Sequence, residues 1–280
     1  MRNSIEGVSQ QQAVVIFGTD GLPAGTGTDS TGRNLLDASR LSPDAGFYVS
    51  DAESVRLVGD VDGDGFNDFF ANSTNVPPPW DSGRTLTGWL IFGRASSAAS
   101  WGSIDASGRR IVDPTLLSAS EALPVVTSSL STRARFIFGD GDVNGDGFTD
   151  QVLGDGTYGY SGADRAWVLF GGGRASLGTF NAGRNRNELF VDSITPAQGF
   201  LIRGNNAAFF PSDVDFADVD GDGFDDLVLG AEYGVATTGS GGIGTAMVIF
   251  GRAGTEFGVA SGSQRLVAWA SLAPQDGFIF

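Results

Sequence analysis

Three short stretches carry residue types and spacings that suit metal chemistry. They read DVDGDGFND from Asp60, DVNGDGFTD from Asp142 and DVDGDGFDD from Asp218. In the first, Asp60, Asp62, Asp64 and Asp68 stand at positions 1, 3, 5 and 9 of a glycine-punctuated loop. Oxygens at those positions, with the position-7 carbonyl of Phe66, can surround a hard cation, and the glycines permit the sharp turn. An all-oxygen set of flexible geometry favours calcium over magnesium. Eleven carboxylates crowd into positions 1, 3, 5 and 9 of the three loops. Without a cation, each pair of like charges within a few ångströms repels by on the order of 1 kcal/mol even at moderate dielectric. The alternative is a set of solvated Asx turns that hold no metal. An EF-hand is excluded, because position 12 is Ala71, Leu153 or Leu229 rather than a bidentate Glu.

The elements that must position these loops repeat with them. The loops recur at intervals of 82 and 76 residues. A second motif recurs four times: AVVIFG ending at Gly18, GWLIFG at Gly93, AWVLFG at Gly171 and AMVIFG at Gly251. A third is GFYV at Gly46, GFLI at Gly199 and GFIF at Gly277, with only LPVV (Leu123–Val126) at the matching place of the second unit. Each unit reads as an apolar strand, the Asp loop, a second strand, a variable loop, the strand ending in FG, and the GF strand. The runs are short, rich in Val, Leu, Ile and Phe, and bounded by Gly or Asp. Four short strands per repeat predict an all-β protein, a β-propeller of four-stranded antiparallel blades; a β-sandwich is the competing architecture.

On this reading residues 1–10 are a tail and 11–53 give the outer strands of a partial blade. Blades then follow at 54–131, 132–211 and 212–280, with their loops at 60–68, 142–150 and 218–226. Three and a half blades fall short of the four to eight that usually close a propeller. The expectation is a longer array in which further chain supplies the completing blades.

Composition narrows the chemistry. The 280 residues include no Cys, no His and no Lys, and all 17 basic residues are Arg. Disulfides, thiolate metal sites, the usual zinc ligand, the usual general base, Schiff bases and the P-loop lysine are thereby excluded. A net charge of −16 argues against nucleic acid as a partner. Asp outnumbers Glu by 27 to 6, a bias toward turns and hard-cation sites. No N-terminal signal peptide is evident, and no apolar run is long enough for a membrane-spanning helix.

With FG four times, the DxDxDGxxD loop three times and LVLGA at Leu227–Ala231, the sequence resembles the FG-GAP repeat, the blade of integrin α-subunit-like propellers and their bacterial relatives. The resemblance implies a calcium site in each loop. The ligands would be Asp60, Asp62, Asp64, the Phe66 carbonyl and Asp68; then Asp142, Asn144, Asp146, the Phe148 carbonyl and Asp150; then Asp218, Asp220, Asp222, the Phe224 carbonyl and Asp226. Asn144 removes one charge and makes the second site the weaker one. Units of about 78 residues exceed the family's usual blade, with the excess mainly after FG.

Function on this reading is a non-enzymatic, calcium-dependent module, extracellular or at the cell surface, for adhesion or for binding a protein or glycan. Trp80, Tyr158, Tyr160 and Tyr233 in the variable loops are candidate contact residues. The alternatives are the propeller portion of a secreted polysaccharide- or lipid-acting enzyme, and a structural spacer. No triad that uses His can form. GSGGIG at Gly239–Gly244 matches a dinucleotide fingerprint but precedes a strand, so it implies no such site.

Overall fold

The computed structural model describes residues 2–5, 8–18, 27–72, 85–95, 101–128, 135–154, 165–204, 211–231 and 244–280. In chain order, β1 (Arg2–Ile5) and β2 (Val8–Ile16) form a hairpin, followed by the small pair β3 (Gly27–Thr28) and β4 (Asn34–Leu35) and then β5 (Gly46–Ser50). The first ten residues, expected as a tail, thus hold β1 and the start of β2. Next come β6 (Ser54–Gly59), β7 (Asp68–Asn72), β8 (Thr85–Ile91), a second small pair β9 (Ser103–Ile104) and β10 (Arg110–Val112), and β11 (Ala122–Thr127). The pattern recurs as β12 (Arg135–Gly141), β13 (Asp150–Gly154), β14 (Arg165–Leu169), β15 (Thr179–Asn181), β16 (Arg186–Phe190) and β17 (Gly199–Arg203). It recurs again as β18 (Asp213–Ala217), β19 (Asp226–Ala231), β20 (Thr245–Ile249), β21 (Val259–Ser261), β22 (Gln264–Ala268) and β23 (Gly277–Ile279).

Apart from the two-stranded β3–β4 sheet, the described strands assemble into four sheets. Their antiparallel cores are β1-β2-β5, β6-β7-β8-β11, β12-β13-β14-β17 and β18-β19-β20-β23. Six strands per unit, rather than four, is a departure from the sequence expectation. The additional pair crosses to the preceding sheet: β10 joins β5, β16 joins β11 and β22 joins β17, each in parallel. The residues after FG therefore form a hairpin that covers the neighbour's outer edge. An open edge of unpaired N–H and C=O groups is a liability, and this device removes it. The hairpins leave little signal in the sequence because their strands are short, as in RIV and RNELF, with no clean alternation.

Each middle sheet is buried on both faces, which explains why its strands read as continuous apolar runs. Phe69, Ala71, Trp89 and Ile91 face one way, into a core shared with Phe47, Val49 and Val112 of the first sheet. Phe70 and Leu90 face the other way, into a core with Leu153, Trp167 and Leu169 of the third. Val152, Ala166, Val168, Phe200 and Ile202 of the third sheet then meet Leu227, Leu229, Met247 and Ile249 of the fourth. The period-2 alternation of a strand thus serves two cores at once. The GF motif has a steric reason as well: a Cβ on Gly46, Gly199 or Gly277 would lie 2.1, 1.9 or 1.9 Å from the carbonyl of Val15, Val168 or Val248 on the facing strand.

Candidate metal centres in the three aspartate loops

Each Asp loop joins the first and second strands of a sheet: β6 to β7, β12 to β13 and β18 to β19. The position-1 carboxylate organises the turn. Asp60 accepts from the backbone N–H of Gly63 (2.8 Å) and Gly65 (2.8 Å), and Asp218 accepts from Gly221 (2.7 Å) and Gly223 (3.1 Å). Asp142 accepts from Asp146 (3.0 Å) and Gly147 (2.7 Å). Position 3 accepts from position 5, and position 5 from position 7: Asp64 N–H to Asp62 (3.1 Å), then Phe66 N–H to Asp64 (2.9 Å), with the same pattern in the other loops. Gly63 and Gly65 sit at φ +74° and +90°, as do their counterparts at closely similar angles, which is why these positions are glycine.

Position 9 is fully buried in all three loops. Its two oxygens form a bracket between the loop and the FG turn. Asp68 accepts from Val61 N–H (2.9 Å) and Gly93 N–H (2.6 Å), Asp150 from Val143 (2.9 Å) and Gly171 (2.9 Å), and Asp226 from Val219 (2.9 Å) and Gly251 (2.8 Å). This also accounts for the FG glycine. A Cβ on Gly93, Gly171 or Gly251 would stand 2.5, 2.6 or 2.3 Å from the carbonyl oxygen of Asn67, Thr149 or Asp225. The FG and Asp motifs are therefore two halves of one local structure. Burial pushes the Asp68 carboxyl up to about 7 and Asp150 up to about 8, despite the two N–H groups that each accepts and that act in the opposite sense.

The loops differ in how closely their carboxylates gather. Oxygens of Asp60, Asp62 and Asp68 all lie within 4.8 Å of one another, and so do those of Asp218, Asp220 and Asp222. These are all-oxygen donor sets of high charge, the chemistry a hard divalent cation requires. In the second loop the Asn144 amide N–H donates to Asp146 at 2.9 Å, which substitutes internally for part of a cation's role.

The first loop has a further partner that the sequence reading missed. Arg174 lies three residues beyond Gly171 and reaches back across the sheet interface. Its guanidinium donates to both Asp62 and Asp64, and also to the Ser120 carbonyl at 3.0 Å. The ring of Phe92 lies beneath it, 4.9 Å from the guanidinium carbon. The readable signal is the inserted GG: Arg follows FG directly in FGR at Arg94 and Arg252, but as FGGGR at Arg174. Arg94 and Arg252 instead pair with Glu121 and Asp276.

Successive loops also touch. The Phe148 ring lies over Gly63, and the Phe224 ring over Gly145, where a Cβ would stand 2.5 and 2.3 Å away. The turn after FG donates backbone N–H groups to the preceding loop: Gly172 to the Val61 carbonyl (2.9 Å), Arg252 to Val143 (2.9 Å) and Gly254 to Asn144 (2.9 Å). Trp80, Tyr158, Tyr160, Tyr233 and most of Gly239–Gly244 lie outside the described residues.

This geometry defines a class: a repeat protein of tandem antiparallel sheets, each bearing an acidic loop bolted to a glycine turn. Residues 210–246, which hold β18, the third loop and β19, match the family model of the FG-GAP repeat. The chain thus carries an FG-GAP repeat, and its all-β architecture is consistent with the integrin α-like propeller family. No curated protein matches the chain.

Proposed function

We propose that this chain is a calcium-binding β-propeller module of the FG-GAP kind, extracellular or at the cell surface, that serves adhesion or binding of a protein or glycan. Its four sheets are read as blades, and calcium is structural rather than catalytic. The observation that carries the reading is the recurrence of one loop, with its buried position-9 aspartate, between the first two strands of three successive sheets, with carboxylates that converge in the first and third. Asp60, Asp62, Asp64, Asp68 and the Phe66 carbonyl would hold the first ion. Asp142, Asn144, Asp146, Asp150 and the Phe148 carbonyl would hold the second, and Asp218, Asp220, Asp222, Asp226 and the Phe224 carbonyl the third. Bound calcium supplies positive charge that relieves carboxylate repulsion and fixes the turn. No helix among the described residues is long and apolar enough to cross a membrane.

The test is thermal unfolding in excess EGTA and then in rising Ca²⁺ up to ~5 mM, with stoichiometry from calorimetry. The reading expects a large rise in midpoint that Asp218→Ala reduces. A midpoint indifferent to calcium would turn the loops into hydrogen-bonded Asx turns and remove the support for a calcium-dependent module.

A further inference from the structure

Position 7 of each Asp loop faces two ways. Its carbonyl is one of the oxygens assigned above to its own loop's ion, while its ring reaches the loop of the sheet before. A Cβ on Gly63 would stand 2.5 Å from the Phe148 ring, and one on Gly145 would stand 2.3 Å from the Phe224 ring. Phe148 and Phe224 are accordingly half-buried. Phe66, which has no Asp loop before it among the described residues, is 44% exposed. The same motif residue thus loses exposure where a preceding loop receives it.

Position 8 adds a second link. Asp225 accepts from the backbone N–H of Asp142 at 2.9 Å, and the Thr149 N–H donates to the Asp60 carbonyl at 3.3 Å. Both reach position 1 of the preceding loop, the residue whose carboxylate holds that turn. Position 9 gives a third. Asp226 accepts from the Gly251 N–H at 2.8 Å, and the next residue, Arg252, donates its N–H to the Val143 carbonyl at 2.9 Å. Asp150, Gly171, Gly172 and Val61 repeat the route one sheet earlier, with both bonds at 2.9 Å. Positions 7, 8 and 9 of one loop therefore all bear on the loop before it.

The carboxylates of one loop repel each other, and an ion that gathers them also fixes positions 7 and 9 of the same nine residues. The Phe ring, the position-8 residue and the FG turn are then held where they meet the preceding loop. That loop takes its own ion with less of its backbone left to order, which is positive cooperativity carried by packing and hydrogen bonds. Resting on the calcium reading above, we propose that the loops bind calcium as a coupled series, in which occupancy of one loop raises the affinity of the loop before it. Linkage makes the effect reciprocal, so an ion in the second loop strengthens the third by the same factor.

Calcium titration calorimetry on the intact chain tests this with two variants. Asp220→Ala removes one oxygen of the third loop and leaves Asp218 to hold the turn. Phe224→Ala removes the ring and keeps the carbonyl, so the third loop retains its oxygens. The parent isotherm should be positively cooperative. Asp220→Ala should weaken the second loop by roughly fivefold or more, the lower end of ordinary coupling. That loss should be smaller in the Phe224→Ala background than in the parent, because one of the three links is then already gone. Asp142→Ala identifies which ion of the isotherm belongs to the second loop. A parent that binds its ions independently, or an Asp220→Ala chain whose remaining sites keep parental affinity, would overturn the coupling and leave the calcium reading standing. A parent that binds no calcium would overturn both. Far-UV circular dichroism and melting in EGTA check that the variants fold. Asp220 is exposed, so its substitution decides the matter even where Phe224→Ala does not fold.

Discussion

Arg174 offers a sharp test of how the first loop works. Its guanidinium bridges Asp62 and Asp64, two of the oxygens a cation would need, and the Asp62 side chain is fully buried while Arg174 is 37% exposed. Arginine and a divalent ion would therefore compete for the same carboxylates. A single positive charge about 5 Å from a divalent one costs about 1.5–3 kcal/mol for effective dielectric constants between 80 and 40. Arg174→Met keeps the apolar stem over Phe92 and deletes the charge. Calcium affinity at one site should then rise by about 10–150-fold, taking 1.4 kcal/mol per factor of ten. In EGTA the same variant should be less stable than the parent by about 1–3 kcal/mol, because Asp62 loses its partner in a buried position. Isothermal calorimetry reads the first effect, and Asp60→Ala in the Arg174→Met background assigns it to this loop. An unchanged or weakened site in Arg174→Met would refute the competition, and unchanged stability in EGTA would refute the pairing.

Other consequences follow from the loop geometry. Asp226→Ala should cost about 2–4 kcal/mol in denaturant unfolding even in EGTA, because the N–H groups of Val219 and Gly251 lose their acceptor; a loss confined to calcium-containing buffer would contradict the bracket role. Gly251→Ala should destabilise by about 1–3 kcal/mol through collision with the Asp225 carbonyl, whereas Gly173→Ala, with nothing within 4 Å, should leave the unfolding midpoint unchanged. In EGTA, stability should fall as pH rises from 5 to 8.5. Asp68 and Asp150 titrate at about 7 and 8 in the folded chain, against about 4 unfolded, so the folded state binds extra protons below those values and loses that advantage above them. Asp150→Asn should flatten the profile, and a midpoint that climbs with pH in EGTA would count against the burial argument.

The parts legible in the sequence were those whose physics is local. A loop of alternating Asp and Gly needs left-handed turns and neighbouring backbone donors, both supplied within the nine residues, and Asp60 and Gly63 do what their types suggest. The FG strands announced themselves as apolar runs because both faces of each middle sheet are buried. The parts that stayed hidden depend on a neighbouring unit. Arg174 reads as an ordinary surface arginine until the sheets are stacked and its reach to Asp62 is seen. The hairpins were hidden because their burial is supplied by a neighbour. Their start nonetheless leaves a trace: Trp101-Gly102, Leu177-Gly178 and Phe257-Gly258 each put a buried apolar side chain before a glycine at φ +65°, +73° or +55°. At those glycines a Cβ would stand 1.9, 2.7 or 2.1 Å from a carbonyl of the facing hairpin strand.

That dependence on the neighbour says how the molecule should unfold. Each sheet boundary repeats the same set of contacts: a two-sided apolar core, a hairpin clasping the outer edge, and, from the second sheet onward, a Phe ring over the preceding Asp loop with backbone N–H groups donated to it. Nearest-neighbour terms of this kind make stability a sum over interfaces, so fraying should start at a sheet with one interface rather than two. Among the described residues the fourth sheet has one such interface. No Phe covers Gly221, no hairpin covers β23, and the third loop lacks the backbone donors that Val61, Val143 and Asn144 receive, among the described residues. Native-state hydrogen exchange should therefore show β19 and β20 opening at lower free energy than β13 and β14, although the strands have similar sequences. Calcium in the third loop should narrow that gap more than calcium in the first or second, because among the described residues that loop alone is without a neighbour to hold it. Equal protection of the two sheets in EGTA would mean that stability resides within each sheet, and the nearest-neighbour account would fail.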